Sequence, residues 1–412
     1  MTAPGRRVLT VPEALLRRRT SMKWGHVDAD VLPLWVAEMD TMLAEPIVRA
    51  VTGAIALGDS GYPHGRAYPE AFAAFAADRW GWTPDPALAT TVPNVTAGIT
   101  QVLRTVTHRG DAVIVNPPVY APFHELIHDI ARRVRTAPLG PGHRLDLGAL
   151  DDAFRAATTA GRSAAYLLCS PHNPTGTTHT RAELAAVAEL AARHRVRVIA
   201  DEIHAPLTCP GAVHVPYLSL PGTDDAFAVT SASKAWNLVA FTAAVVLAGP
   251  AAATDLAQFP EALHEAASHL GVLAHRAALT EGRAWLDALL ADLAHNRRLL
   301  GDLLAARLPA VTWRPPQATY LAWLDCRALG LGADPAAVFL DRGRVALSSG
   351  PDFGAGGDGH VRLNFATSPR LLTEAIDRLA AAVNDDRPRA ASGPPSTRIT
   401  SPAGNERCDM SH

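Results

Sequence analysis

The sequence predicts an α/β protein, in which a large domain built on a mostly parallel sheet is joined to a smaller α/β domain. Short apolar runs recur along the first two thirds of the chain, as buried parallel strands do. These runs are residues 112–115, 164–169, 196–200, 226–230 and 243–248. Alanine-rich helical stretches such as residues 181–194 alternate with them. Such alternation is typical of a parallel sheet that is covered by helices.

Length and composition predict how the chain is divided. A chain of 412 residues is too long for one small core, and 48% hydrophobic with 19% charged residues suits a soluble globular enzyme. We expect a large domain over residues 50–285 and a smaller domain formed by residues 1–49 and 286–387, with the active site between them. Residues 388–412 are rich in Pro, Ser, Gly, Thr and Arg, which predicts a disordered tail.

Charge and hydropathy argue against several functional classes. The formal net charge is −2 and the arginines are scattered, whereas nucleic acid binding requires concentrated positive charge. No apolar run has transmembrane length, and the first residues lack the apolar core of a signal peptide. We therefore expect no membrane role and a cytoplasmic location. Four cysteines without paired spacing predict reduced thiols, namely Cys169, Cys209, Cys326 and Cys408.

Three motifs occur in an order that suits the cofactor pyridoxal 5′-phosphate (PLP). They are Ser170-Pro171-His172-Asn173-Pro174-Thr175-Gly176, Asp201-Glu202-Ile203-His204 and Ser231-Ala232-Ser233-Lys234-Ala235-Trp236-Asn237. A PLP site needs an amine for a Schiff base, an acid beside the pyridine nitrogen, and donors to the ring hydroxyl and the phosphate. Each requirement has a candidate in these motifs.

Asp201 and Lys234 each follow a predicted strand. Parallel strands direct the residues at their carboxyl ends to one edge of the sheet, where α/β proteins bind ligands. The Asp201 carboxylate could pair with a pyridinium there and keep the ring an electron sink. The Lys234 amine could anchor the cofactor and, once released, act as a base. Taken singly, a lone lysine is usually a surface charge and a lone aspartate after a strand is usually a helix cap.

With these motifs, the chain resembles the fold type I, class I/II aminotransferase superfamily, and within it the branch of cystathionine β-lyases and cysteine-conjugate C–S lyases. The resemblance spans roughly residues 15–385. It implies a PLP-transferase fold with a seven-stranded type of sheet. The branch is marked by residues 32–40 (LPLWVAEMD), 61–63 (GYP), 201–204 (DEIH) and 361–365 (VRLNF). A tyrosine usually stands at the position of His204 in many aminotransferases, which favours the lyase branch.

The resemblance also implies roles for individual residues. Lys234 would be the Schiff-base lysine, Asp201 the pyridinium partner and Asn173 the donor to the phenolic oxygen. Tyr120 would stack on the pyridine ring, and His204 would also contact the cofactor. Catalysis would fall to Lys234, Asp201 and Tyr120.

The phosphate would be bound at a predicted helix N-terminus, where backbone amides and the helix dipole favour an anion. The implied phosphate contacts are Val95, Thr96, Ser231, Ser233 and, from the neighbouring subunit, Tyr62. A homodimer with shared active sites follows from the position of Tyr62. Two departures affect this region. Residues 238–241 (LVAF) replace the glycine-containing loop that is usual after Asn237, and Thr242 stands where many aminotransferases have a phosphate-binding arginine.

The substrate side of the site is implied in the same way. Arg362 would bind the α-carboxylate, for which a planar bidentate donor is well shaped. Asn173, Trp35, Ala37 and residues 319–323 would line the rest of the pocket. We expect no metal. His124-Glu125-Leu126-Ile127-His128 matches a zinc-protease pattern but lacks a third-ligand motif downstream. Residues 354–359 (GAGGDG) spell a dinucleotide fingerprint but precede a strand, which predicts a loop.

These residues predict a PLP-dependent C–S β-lyase. It would cleave cystathionine or a related S-substituted cysteine to a thiol, pyruvate and ammonia. An aminotransferase stays open as an alternative, because both reactions share the same first half. A related PLP reaction on a cysteine conjugate of specialised metabolism also stays open. So does a binding role, since related lyases can act as regulators by binding a transcription factor.

Overall fold

The computed structural model describes residues 7–384, so the predicted tail over residues 388–412 lies outside the described residues. Strands form a seven-stranded sheet, a four-stranded sheet and a two-stranded sheet. The strands are β1 Leu32–Pro33, β2 Ala89–Val92, β3 Ala112–Val115, β4 Arg133–Thr136, β5 Ala164–Cys169, β6 Arg197–Asp201, β7 Phe227–Thr230, β8 Ala244–Ala248, β9 Thr312–Trp313, β10 Leu321–Asp325, β11 Val345–Ala346, β12 Ser348–Ser349 and β13 His360–Asn364.

Fourteen α-helices surround these sheets within the described residues. They are α1 Glu13–Leu16, α2 Met22–Gly25, α3 Glu45–Leu57, α4 Ala67–Trp80, α5 Val95–Val106, α6 Pro122–Asp129, α7 Leu147–Ala157, α8 Arg181–His194, α9 Ala253–Leu256, α10 Glu261–Glu265, α11 His269–Thr280, α12 Arg283–Arg307, α13 Pro335–Gly343 and α14 Pro369–Val383. None of the helices in residues 7–384 is long and apolar enough to cross a membrane.

The large sheet has the strand order β2-β8-β7-β6-β5-β3-β4. β8 is antiparallel to both of its neighbours, and the other ladders are parallel. The prediction of a mostly parallel, seven-stranded sheet is therefore confirmed. All five predicted runs are strands, with starts that differ by at most one residue, because their apolar side chains are buried on both faces.

Three features of this sheet were not predicted. β2 and β4 were missed: β2 contains two threonines, and β4 alternates arginine with Val134 and Thr136, so neither is a continuous apolar run. The direction of β8 was also not foreseen. Only residues 231–243 separate β7 from β8, and they form turns instead of a crossover helix, so the chain reverses. That reversal places Lys234 in a tight turn at the sheet edge.

Helix α5 packs closely against the large sheet. A Cβ atom on Gly98 would lie 2.9 Å from Val246 Cγ2 and 3.0 Å from Val229 Cγ1, so a larger side chain would push the helix away. Asn94 begins the helix, since its side chain accepts a hydrogen bond from the Ala97 amide at 2.8 Å. This packing fixes the N-terminus of α5 beside the ends of the strands.

The smaller sheets lie outside the stretch that forms the large one. The four-stranded sheet has the order β12-β13-β10-β9 and is antiparallel, and β1 pairs with β11 in the two-stranded sheet. β13 is an interior strand, so Arg362 does not stand on a solvated edge. The domain boundaries at residues 50 and 285 stay predictions, and α12 runs through residue 285 without a break.

Candidate active site

Four parallel strands of the large sheet carry the predicted site residues at their carboxyl ends. β3, β5, β6 and β7 lead to Tyr120, Asn173, Asp201 and Lys234, respectively. The carboxyl ends of parallel strands meet at one edge of the sheet, so the turns that carry these residues are adjacent. This edge faces the segment 34–40 and the strand β13 of the four-stranded sheet, as the contacts below show.

The Lys234 amine is held by a backbone carbonyl. Lys234 Nζ lies 3.2 Å from the oxygen of Ala37, which also accepts a hydrogen bond from the Tyr320 hydroxyl at 2.9 Å. Burial among protein atoms, with a further effect from Arg362, lowers the pKa of Lys234 to about 8. The amine therefore loses its proton much more readily than a surface lysine does. Lys23 is the only other lysine in the sequence.

Asp201 is a buried carboxylate. Its Oδ1 atom accepts a hydrogen bond from the Ile203 amide at 3.1 Å. Burial raises the pKa of Asp201 to about 7, whereas the Ile203 amide and Lys234 act in the opposite direction. A neighbouring cation would reverse the effect of burial and hold the carboxylate ionised. A pyridinium nitrogen is a cation of this kind.

His204 lies in the same pocket wall and is neutral. Its side chain is buried, and its ring centroid is 6.4 Å from that of Tyr320 in an edge-on arrangement. Burial, together with the charges of Lys234 and Arg362, lowers the pKa of His204 to about 3. Its Nδ1 atom is buried without a hydrogen-bond partner among the described residues. A buried unsatisfied ring nitrogen in a wall of this kind indicates a place for a ligand.

Arg362 joins the two sides of the cleft. Its Nη1 donates to Asn173 Oδ1 at 3.0 Å, and its Nη2 donates to the Trp35 carbonyl and to Ser348 Oγ, both at 3.0 Å. The guanidinium carbon lies 5.0 Å from the centroid of the Phe353 ring. Burial lowers the pKa of Arg362 to about 10, so it remains charged at neutral pH. Arg362 Nε is buried without a partner in the described part of the chain.

The segment 34–40 is fixed by side chains from distant parts of the chain. Asn364 Nδ2 donates to the carbonyls of residues 36 and 38 at 2.7 and 2.6 Å. Asn237, at φ 59°, bonds both backbone groups of Met39, its amide nitrogen at 2.8 Å and its carbonyl at 3.1 Å. Asparagine tolerates this left-handed conformation better than most residues.

A buried ion pair lies under the same segment. Lys23 Nζ is 2.9 Å from Asp40 Oδ2, and both side chains are 1% exposed. Lys23 also donates to the Glu38 carbonyl at 3.3 Å, and Trp24 Nε1 donates to Asp40 Oδ1 at 2.7 Å. Both lysines of the chain therefore contact residues 37–40.

The predicted phosphate residues lie at the same edge of the large sheet. Val95 and Thr96 open α5, and their amides precede the first intrahelical bond, which Gly98 donates to the Asn94 carbonyl. Ser231 Oγ donates to the Ala243 carbonyl at 2.8 Å and accepts from the Ser233 amide at 3.1 Å. The Ser231 hydroxyl would have to rotate before it could donate to a phosphate. Its role remains a prediction.

The remaining predicted residues differ in position. Tyr120 is partly buried and lies edge-on to Phe123, with ring centroids 5.5 Å apart. Trp35 and Ala37 meet the site through their carbonyl oxygens, and the Trp35 indole packs beside Val31. Tyr62 is 79% exposed.

Sequence reasoning missed several residues that shape the cleft. Ser348 and Phe353 contact Arg362, and Lys23 supports the segment 34–40. Ser348 stands in a two-residue strand and Phe353 in a short turn, so neither belongs to a recognisable motif. The mostly apolar surroundings of Asp40 in residues 32–40 were the one signal that a buried cation was needed.

The histidine pair and the glycine-rich pattern lie on a helix and in a loop, respectively. His124 and His128 lie on α6 directly after the Tyr120 turn, and residues 7–384 contain no group of three potential metal ligands. The glycine-rich segment leads into β13, with Gly354, Gly356 and Gly359 at positive φ. It does not link a strand to a helix, which a dinucleotide site requires.

The residues present fit PLP. Within residues 7–384, one edge of the large sheet carries a buried carboxylate that accepts from one amide, a buried imidazole nitrogen without a hydrogen-bond partner, a helix N-terminus and an amine with a lowered pKa. Lys234, Asp201, Asn173 and His204 would hold the ring, and Val95 and Thr96 the phosphate. This fold and site define the fold type I class of PLP enzymes. The chain belongs to the aminotransferase class I and II family, whose model matches residues 47–379.

Individual relatives show which members of this family the chain resembles. A Mycobacterium leprae protein with the provisional name cystathionine beta-lyase is 51% identical over 400 residues, which cover 93% of this chain and 99% of that protein. The cystathionine beta-lyase PatB of Bacillus subtilis is 31% identical over 380 residues, covering 88% and 97%. A crystal structure from Corynebacterium diphtheriae, provisionally named a PLP-dependent beta-cystathionase, has TM-score 0.86 and 34% identity, covering 92% and 99%.

Proposed function

We propose that this chain is a PLP-dependent C–S β-lyase that cleaves cystathionine or a related S-substituted cysteine to a thiol, pyruvate and ammonia. The observation that carries the proposal is the nearly full-length likeness to relatives named cystathionine beta-lyase, at 51% and 31% identity. The cleft supports it, because Lys234, Asp201 and Arg362 provide a base, an acid partner and a carboxylate donor in one place.

Each residue has a definite task in this reaction. PLP, when bound, supplies an electron sink conjugated to the substrate α-carbon. Arg362 binds the α-carboxylate, and its bonds to Asn173 and the Trp35 carbonyl fix the guanidinium plane. Lys234 Nζ takes the α-proton, for which an amine with a pKa of about 8 is well suited near neutral pH. Asp201 would pair with the pyridine nitrogen of bound PLP, and that cation would keep the carboxylate ionised. The thiolate leaves the β-carbon, and the product hydrolyses to pyruvate and ammonia.

The Ala37 carbonyl supports the task of Lys234. It binds the Lys234 amine at 3.2 Å, while the Tyr320 hydroxyl keeps the carbonyl oriented. When the Lys234 amine is not bound to the cofactor, it therefore has a hydrogen-bond acceptor within the cleft and stays in place. We infer that Ala37 acts through its backbone, so its side chain can vary without loss of this contact.

The assembly that we propose is a homodimer in the cytoplasm, with Tyr62 reaching the phosphate of the neighbouring subunit. Exposed apolar side chains support the dimer, and they cluster in sequence around α3 and Tyr62. They are Met42, Val48, Ile55, Leu57 and Tyr62. Exposed apolar side chains that form one patch mark a protein–protein contact surface. Their burial against a second copy would also complete the site.

Product analysis without a keto acid tests the reaction type. The PLP-loaded protein is mixed with L-cystathionine and, separately, with S-substituted cysteines, and pyruvate and thiol are followed over time. A β-lyase releases both continuously and in equal amounts. An aminotransferase would instead change the visible absorbance of the bound cofactor within one turnover, release no pyruvate and resume only when a keto acid is added. That second pattern would overturn the proposal.

A further inference from the structure

Two segments of the cleft contact each other, and together we call them its mouth. One is the glycine-rich loop, residues 350–359, and the other is the Tyr120 turn with the first turn of α6. The Val119 amide donates to the Phe353 carbonyl at 2.9 Å, and a Cβ atom on Gly354 would lie 3.6 Å from His124 Cε1. A Cβ atom on Gly350 would lie 2.1 Å from the Gly357 carbonyl oxygen, so the loop closes tightly on itself. The mouth therefore has a defined shape.

Each segment places one carboxylate at this mouth. Glu125 stands on α6 beside His124, and Asp352 directly precedes Phe353, whose ring lies under the Arg362 guanidinium. Both acidic side chains are exposed. Burial and then the charges of Asp129 and Asp352 raise the pKa of Glu125, so the carboxylates lie within electrostatic reach of one another. The charge of Asp352 also acts to raise the pKa of Arg362, and the charge of Glu125 acts to raise the pKa of Tyr120.

The cleft thus has a buried positive charge and two exposed negative charges. Arg362 is buried within it, and its Nε–H lacks a partner among the described residues, which leaves a donor for the substrate α-carboxylate. Glu125 and Asp352 are exposed whereas Arg362 is buried, so we expect the part of the substrate beyond its sulfur to lie nearer to these two carboxylates. Opposite charges attract and like charges repel across such a partly exposed mouth. A distal cation is favoured there and a distal anion is not.

We propose that Glu125 and Asp352 select S-substituted cysteines whose distal end carries an ammonium group. This inference rests on the proposed lyase function. It assigns a role to Glu125, the central residue of a motif that the PLP chemistry leaves unused, and to the glycine-rich loop. The distal end of cystathionine carries such an ammonium together with a carboxylate and has no net charge, an S-aminoalkyl cysteine carries the ammonium alone, and a simple S-alkyl cysteine carries neither.

A matched pair of substrates isolates the distal charge. S-(2-aminoethyl)-L-cysteine and S-propyl-L-cysteine have side chains of equal length and differ by an ammonium in place of a methyl group. We expect kcat/KM for pyruvate release to favour the aminoethyl compound by about tenfold, since each partly exposed ion pair contributes up to about fivefold. The preference should shrink as salt is raised, because the carboxylates are accessible to ions.

Variants assign the preference to the two carboxylates. Glu125→Gln and Asp352→Asn should each lower the ratio of the two kcat/KM values about threefold, and the double variant should bring it close to one. Activity on S-propyl-L-cysteine should stay within about twofold in all three. Asp302→Asn is the control, because this exposed aspartate lies on α12 away from the cleft. It should leave the ratio unchanged.

Binding gives a second readout that needs no turnover. L-lysine and L-2-aminoheptanoic acid copy the two substrates but lack a leaving group, so their inhibition constants report the distal charge alone. Lysine should inhibit more strongly than aminoheptanoic acid, and the double variant should remove that difference. Pyruvate release from both substrates at equal efficiency would overturn this inference and leave the lyase function standing. Absence of pyruvate from both would instead overturn the proposed function.

Discussion

Lys234 and Ala37 show how one backbone oxygen can tune an active-site amine. The carbonyl offers Lys234 a neutral acceptor, and among the charges that affect the pKa of this amine the Arg362 cation has the largest effect, ahead of the opposing carboxylates of Glu38 and Asp201. Burial and that cation together favour the uncharged amine, whereas an ion pair would have favoured the ammonium. A lysine that must act as a base near neutral pH benefits from a buried site with a neutral acceptor, because the uncharged amine is favoured there.

Replacement of Lys234 tests its role directly. Lys234→Ala should lower pyruvate release by at least about 10²-fold to 10⁴-fold, the usual contribution of a positioned base, while some PLP binds without a covalent link. Lys234→Arg should fare no better, since a guanidinium does not give up its proton. Pyruvate assays and the visible absorbance of bound cofactor provide the measurement. Turnover that persists in Lys234→Ala would remove this residue from catalysis.

Arg362 should act mainly on substrate binding. Arg362→Ala removes a buried charge that makes three hydrogen bonds, and losses of about 2–4 kcal/mol, or 30-fold to 1000-fold in kcat/KM, are usual for such groups. We expect most of the effect in KM. Ser348→Ala is the milder comparison, because it removes a single hydroxyl from the same cluster. Unchanged steady-state kinetics in Arg362→Ala would exclude the carboxylate-binding role.

At the level of elements, the segment 34–40 depends on its partners for its shape. It follows the two-residue strand β1, contains no strand residue of its own, and is held by side chains from α2, β13 and the turn after β7. Such a segment has little local stability of its own. Its carbonyls nevertheless bind Lys234 and Arg362, so the precision of the site comes from these remote contacts.

The Lys23–Asp40 pair should be costly to break. Lys23→Met leaves the Asp40 charge buried without its cation, which typically lowers the free energy of unfolding by about 3–5 kcal/mol. Addition of Asp40→Asn should recover part of that loss, since the amide oxygen can still accept from Trp24. Arg49→Met in an exposed pair with Glu45 should cost under about 1 kcal/mol. Urea unfolding distinguishes these cases, and equal losses in Lys23→Met and Arg49→Met would contradict this account.

The elements differ in how well the sequence predicts them. Buried strands such as β3 and β5 are continuous apolar runs, so their extent and the residues at their ends could be predicted closely. The segment 34–40 could be recognised only by its resemblance to a family. The contacts of Ser348 and Phe353 with Arg362 were out of reach, since they depend on how β12 and a short turn pack against β13 in three dimensions. Lys23 alone in a sequence is usually a surface charge.

On the scale of the whole molecule, buried histidines predict how stability responds to acid. Burial lowers the pKa of His172 and His204 to about 3, and of His179 and His275 to about 4. In the unfolded chain these imidazoles take up protons near pH 6.5. The unfolded state therefore binds more protons between pH 6.5 and 4, and stability falls as the pH is lowered through that range.

The expected slope is up to about 1.4 kcal/mol per pH unit for each such imidazole. Unfolding in urea at pH 7.0, 6.0 and 5.0 measures it. His179→Gln should reduce the slope by the share of one imidazole, because neither ring nitrogen of His179 has a hydrogen-bond partner among the described residues. His108→Gln, at a side chain that is 86% exposed, should not change it. A stability that rises toward pH 5 would contradict the prediction.

Mixed subunits test the proposed sharing of active sites. Tyr62→Ala and Lys234→Ala should each inactivate the homodimer or impair it strongly. If Tyr62 serves the neighbouring subunit, a heterodimer of the two variants has one doubly altered site and one intact site. Random reassociation should then restore about a quarter of the wild-type activity per subunit. Activity no higher than the sum of the two parents would show that Tyr62 serves its own subunit or none.

The scarcity of lysine has a practical consequence for labelling. Of 38 Lys and Arg residues in the sequence only two are lysines, and Lys23 is locked in an ion pair that is 1% exposed. Lys234 is thus the one side-chain amine that an acylating reagent can reach, and its lowered pKa makes it reactive under mild conditions. Such a reagent would report the fraction of sites without cofactor, because bound cofactor should protect the Lys234 amine from acylation and an empty site should not.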